Sequence, residues 1–203
     1  MKRFDMIFFG FIIGFTFLFL FCSLSFVIWF YLDKNESRIL FYLIAGILPG
    51  LLVNLKFLKN WVNNIYELPV WFVVFIYLVV NIGLYGFFMG FPVFNVILGL
   101  VAGYYFGKRV CFRNNKSEIY SAVINKVSLF TGFIMTLICT SSGFLALGGN
   151  GAGGDIKGML GLEFEVTKSM VLGITLLGGL SLILIQILLT RIAIIKTIKL
   201  NAG

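Results

Sequence analysis

Few side chains in this sequence could move a proton. It has no histidine and only eight acids among 203 residues. A Ser–His or Cys–His nucleophile pair is therefore impossible. Cys22, Cys111 and Cys139 form no Cys-x-x-Cys pair. Zinc, haem and iron–sulfur centres lean on clustered Cys and His ligands, so no metal or other cofactor is expected. Asp155, Glu163 and Glu165 could meet a cation, but their spacing is not that of a calcium loop. With no carboxylate inside any long apolar run, a proton relay and an intramembrane aspartyl protease are also disfavoured. The sequence reads as a non-enzyme, with no catalytic residue to name.

What remains is uncharged hydrogen-bonding chemistry. Asn81, Asn95, Gln186 and the Thr136–Ser142 group interrupt otherwise apolar runs. Such groups either bond helix to helix or line a pocket for a neutral or amphipathic small molecule. Asn81, Asn95, Thr140 and Ser141 are the candidates for that pocket. Asn150 and Asp155 join them from the glycine-rich stretch 148–155. So many glycines suit a flexible connection, or a lid whose backbone approaches a ligand closely.

The elements that position these residues follow from hydropathy. The chain is 60% apolar, with a mean hydropathy of +1.04, against about half apolar in a soluble domain. A span needs roughly 20 apolar residues. Six runs qualify, at about 6–32, 39–55, 69–89, 92–106, 127–147 and 169–195, within one transmembrane domain covering 1–203. The first run is too long for the apolar core of a signal peptide, so it is read as a retained span. The charge-free stretch 69–107 is too long for one span. It turns at Gly90-Phe91-Pro92, where glycine permits unusual dihedrals and proline disfavours continuing the helix. The expected fold is an all-α polytopic membrane bundle.

Charge orients it. With the N-terminus inside, inner segments hold Lys2, Arg3, Lys56, Lys59, Lys108, Arg109, Arg113, Lys116, Lys126, Arg191, Lys196 and Lys199. Outer segments hold only Lys34, Arg38, Lys157 and Lys168. Twelve against four is a firm positive-inside signal, with both termini cytoplasmic in a cell membrane. The net charge of +8 thus reflects headgroup contact, and nucleic acid is not an expected partner.

Small residues recur every fourth position on four spans: Gly10 and Gly14; Gly46 and Gly50, with Pro49 between them; Gly99, Gly103 and Gly107; and Ser128, Gly132, Thr136 and Thr140. Helices approach closely along such stripes in lipid. They pack the bundle or dock a second membrane subunit.

Two functions follow as expectations. The first is a small-molecule permease, or a substrate-binding membrane subunit with an outward-facing polar pocket. The second is a non-catalytic scaffold that docks a partner through its glycine faces. The six-span layout with outward loops resembles the substrate-binding subunits of energy-coupling-factor vitamin transporters. The resemblance is one of architecture across the whole chain. That family's alanine-rich docking motif is absent from the first helix, and Gly10 and Gly14 would have to substitute for it.

Overall fold

A computed structural model describes residues 3–88, 90–113, 117–148, 161, 163 and 166–202. Among them every regular element is helical: α1 Arg3–Ile28, α2 Ile39–Asn63, α3 Val70–Phe87, α4 Ile97–Phe112, α5 Ser117–Gly148 and α6 Lys168–Ala202. An apolar chain in lipid must satisfy its backbone internally, and helices do so within each segment. Five of the helices, all but α4, are long and apolar enough to cross a membrane. α4 has 16 residues, but the 3-10 turn Pro92–Val96 runs straight into it.

α2 and α6 outrun their apolar stretches at their C-terminal ends, as α5 does at its start. The expected second span stops near Leu55, whereas α2 continues to Asn63. Trp61 explains the extension, because its ring stacks between Phe17 and Phe57 at 4.8 and 5.4 Å. The basic tail after Ile195 is likewise helical, as α6 runs on to Ala202. Lys196 and Lys199 are exposed there, and Thr197 and Ile198 are buried. One helical face thus carries the core beyond the apolar run.

The chain divides into two compact units, Met1–Gly83 and Leu84–Gly203. In the first unit, α1 and α2 form an antiparallel hairpin. A Cβ on Gly46 would lie 2.8 Å from Cys22 Cα, and one on Gly50 would lie 3.0 Å from Leu18 Cα. The two backbones therefore almost touch, as small-residue crossings allow. Further along, Gly14 faces Asn54 and Leu58, and Gly10 faces Val62. Asn54 Nδ2 donates to the Gly14 carbonyl at 2.9 Å. Phe72 of α3 closes the aromatic cluster, 5.1 Å from Trp61 and 6.3 Å from Phe17.

The second unit packs α4, α5 and α6 together. Gly99 meets Gln186 and Thr190, Gly103 meets Ala193, and Gly107 meets Thr197. The numbers rise together, so α4 and α6 run parallel. Gly132 meets Ile187 and Gly143 meets Thr175, so α5 runs antiparallel to α6. A buried polar seam follows these contacts: Gln186, Thr190, Thr131, Ser128 and Thr197 are each at most 5% exposed. Thr131 and Thr190 share a hydrogen bond of 3.0 Å. A double-mutant cycle with Thr131→Val and Thr190→Val should give a coupling of about 0.6 kcal/mol, the average for such pairs in membranes. Thermal unfolding in detergent measures it, and strict additivity would show that the bond contributes nothing.

Candidate binding site

The turn between α3 and α4 is built by a single left-handed glycine. Gly90 adopts φ +81°, and its N–H donates to the Tyr85 carbonyl at 2.8 Å. Phe91 N–H donates to the Phe88 carbonyl at 3.0 Å, and the Phe88 and Phe94 rings stack across the turn at 3.8 Å. Pro92 then sets the start of the 3-10 turn that holds Asn95. An L-residue at 90 would be strained in this conformation.

α5 anchors this turn below its own end. Ser142 Oγ donates to the Gly90 carbonyl at 2.9 Å. From that level α5 continues to Gly148, a rise of about 9 Å at 1.5 Å per residue. Gly143, one residue on, packs on Thr175, and α6 starts at Lys168. α6 therefore extends about 10 Å beyond the same level. Both helices thus continue past the level of the turn.

The polar groups at the turn are uncharged. The Tyr85 hydroxyl is buried there, beside Ser142. Ser142 donates its own proton to the Gly90 carbonyl, so its oxygen is left to accept from the Tyr85 hydroxyl. A Cβ on Gly90 would come within 3.3 Å of that hydroxyl. Asn95 is fully buried in the adjoining turn.

The residues singled out from sequence are divided between the two units. Asn95 lies beside the Gly90 turn. Asn81 is buried in the first unit and donates Nδ2 to the Tyr77 carbonyl at 2.8 Å. Thr140 and Ser141 are exposed, and their hydroxyls bond back to the Leu137 carbonyl of their own helix at 2.9 Å. They precede Ser142, which alone of the three hydroxyls bonds the Gly90 carbonyl. Asn150 and Asp155 lie outside the described residues. Gly10, Gly14, Gly46, Gly50, Gly99, Gly103, Gly107 and Gly132 all meet side chains or backbone of this same chain, so each is engaged internally.

Sequence reasoning missed Tyr85, which reads as one aromatic among many in an apolar run. It also missed the environment of Asp5. That carboxylate is 2% exposed in the first turn of α1 and accepts from the Tyr66 hydroxyl at 3.1 Å. An acid suits a helix start. Phe9 packs edge-on against Tyr66 at 6.3 Å and covers the pair. The three cysteines are free thiols, and no cluster of metal-binding side chains occurs among the described residues. No protein-family model, curated protein or solved structure matches this chain.

Proposed function

We propose that this protein is a small-molecule permease, or the substrate-capturing subunit of one, and that its ligand enters a recess of the second unit, above the Gly90 turn and between the ends of α5 and α6. The observation that carries this reading is the Gly90 turn set below the ends of α5 and α6, with the Tyr85 and Ser142 hydroxyls beside it. Pockets for small molecules are concave and mostly apolar, with a few placed polar groups. Here the apolar lining comes from helices, and the polar groups are hydroxyls and an amide. The absence of charge among them suits a neutral or amphipathic solute.

The reading includes six spans with both termini in the cytoplasm. Pro92–Val96 and α4 form one continuous helical stretch that ends at Phe112. It runs beside α6 from the Gly90 level to Lys108, whose Nζ donates to Asn201 at 2.8 Å. Its length and its parallel course with α6 support a sixth crossing. The excess of Lys and Arg at the opposite end of the unit from Gly90 supports an outward-facing recess.

Thiol labelling in intact cells tests both points. The background is a chain with Cys22, Cys111 and Cys139 replaced by serine. Ser142→Cys should react with a charged, membrane-impermeant reagent added outside. Thr140→Cys should not react, because its side chain faces lipid. Asn201→Cys should react only after the cells are broken. An inert Ser142→Cys in both whole and broken cells would remove the recess, and outside labelling of Asn201→Cys would invert the topology.

The partner reading rests on other surfaces. The glycine stripes are used within the chain, so a second membrane subunit would have to bind elsewhere. The lipid bilayer is the partner that the exposed apolar helix faces imply, with Leu55, Phe87, Phe144 and Leu200 each at least 80% exposed.

A further inference from the structure

The end of the second unit opposite the Gly90 turn carries an excess of charge that its own acids cannot balance. Lys108, Arg109, Arg113, Lys126, Arg191, Lys196 and Lys199 belong to it, and the sequence between 84 and 148 holds one acid, Glu118. The structure holds this end together. Val127, Ile194 and Ile198 form a core cluster with Phe106, Cys111, Tyr120, Val123 and Ile124 around it. Two hydrogen bonds tie the helices there, Lys108 to Asn201 at 2.8 Å and Arg191 to Asn125 at 2.6 Å.

Arg109 differs from the other basic residues. Its side chain is 5% exposed, whereas Arg113, Lys126, Arg191, Lys196 and Lys199 are exposed. Among the described residues its one side-chain hydrogen bond goes to the neutral Tyr105 hydroxyl at 2.9 Å. The guanidinium also lies 5.9 Å from that ring. No carboxylate comes within ion-pair distance of it among the described residues. The negative end of the α4 dipole helps, since Arg109 lies in the last turn. That contribution is small beside the cost of a buried charge without a counter-ion. Arg113 follows one turn on, as the residue that caps the end of α4. Tyr105, Arg109 and Arg113 are spaced four apart, so they fall on one side of the helical path where it leaves the apolar zone.

The geometry points to a binding site for the phosphate of an anionic lipid, held by Arg109 and Arg113 and flanked by Tyr105. A phosphate supplies the missing negative charge, and its oxygens match the fork of a guanidinium. An anionic headgroup also sits at the depth where the end of a membrane helix meets the interface.

The test uses the full-length protein in nanodiscs of phosphatidylcholine with one-tenth phosphatidylglycerol, followed by mass spectrometry of retained lipid. The wild type should retain phosphatidylglycerol in preference to phosphatidylcholine. R109Q and R113Q should each lower that preference about tenfold, the loss of one charge-assisted bond. R109K keeps the charge and guards against misfolding, and it should fall between wild type and R109Q. R191Q, on an exposed residue already bonded to Asn125, should change nothing. Equal retention in wild type, R109Q and R113Q would overturn the site. So would a wild type that shows no lipid preference but is stabilised against heat by inorganic phosphate. If E118Q lowers the melting temperature while the wild type shows no lipid preference, Glu118 is the counter-ion and the proposal falls.

Discussion

Gly103→Val is expected to lower the melting temperature of the purified protein by about 10 °C, on an overpacking cost of about 3 kcal/mol. The reason is local and geometric. A Cβ at this position would sit 2.6 Å from Ala193 Cβ and 2.7 Å from the Thr190 carbonyl oxygen. Neither is the tip of a flexible side chain, so the two helices must move apart. Parting them also strains the neighbouring contacts of Gly99 with Thr190 and of Gly107 with Thr197, both under 3.0 Å. In lipid there is little hydrophobic gain to offset the lost contact, because the released surface is as comfortable against acyl chains. Gly86→Ala and Gly173→Ala are the controls. Nothing lies within 4 Å of a Cβ at either site, and both are helical. Alanine there should stabilise by about 0.5–1 kcal/mol. Thermal unfolding in detergent separates the cases, and a Gly103→Val protein that melts with the wild type would mean that α4 and α6 do not meet at this level.

Much of this arrangement was legible in the sequence, and the gaps have physical causes. Long apolar runs announce helices because lipid leaves the backbone no other way to satisfy itself. The turn at Gly90 was legible because glycine and proline restrict the chain locally. The length of α6 was not, because a helix past the membrane reads as polar sequence while one of its faces stays buried. The glycine stripes were legible as contact faces, but their partners were not. That Gly103 meets Ala193 is a fact of register between distant segments.

The site was less legible than the fold. Thr140, Ser141 and Ser142 look equivalent in sequence, yet neighbours on a helix point about 100° apart. Only Ser142 reaches the Gly90 carbonyl, and the other two hydroxyls fall back on their own helix. The depth of the turn below the ends of α5 and α6 depends on that one contact and on Gly143 against Thr175. No local pattern encodes either. The polar seam was equally hidden, since Thr131, Thr190 and Thr197 are single hydroxyls in apolar runs.

The first unit offers the other large effect, because its hairpin depends on one crossing. Gly46→Val should disrupt the packing of α1 on α2, at a cost of about 1–3 kcal/mol or more. A Cβ at Gly46 would stand 2.8 Å from Cys22 Cα, 2.9 Å from the Phe21 carbonyl oxygen and 3.0 Å from Ser25 Cβ. Two of these three neighbours are backbone, so repacking side chains cannot relieve the clash. The same crossing carries the Ser25 hydroxyl to the Tyr42 carbonyl at 2.5 Å. Valine would lengthen that bond and expose Ser25, which is now 9% exposed, to lipid. At Gly10 the hairpin is looser, with the nearest atom, Val62 Cγ2, 3.6 Å away. Gly10→Ala should therefore be tolerated, and helix propensity favours it. The native Cys22 reports the difference without any added label. Its thiol is only partly exposed, and its Cα is the nearest neighbour of Gly46. In detergent, Gly46→Val should speed its reaction with a small apolar maleimide, while Gly10→Ala leaves the rate at the wild-type value. If both variants react at the wild-type rate and melt together with the wild type, the α1–α2 crossing does not lie at Gly46.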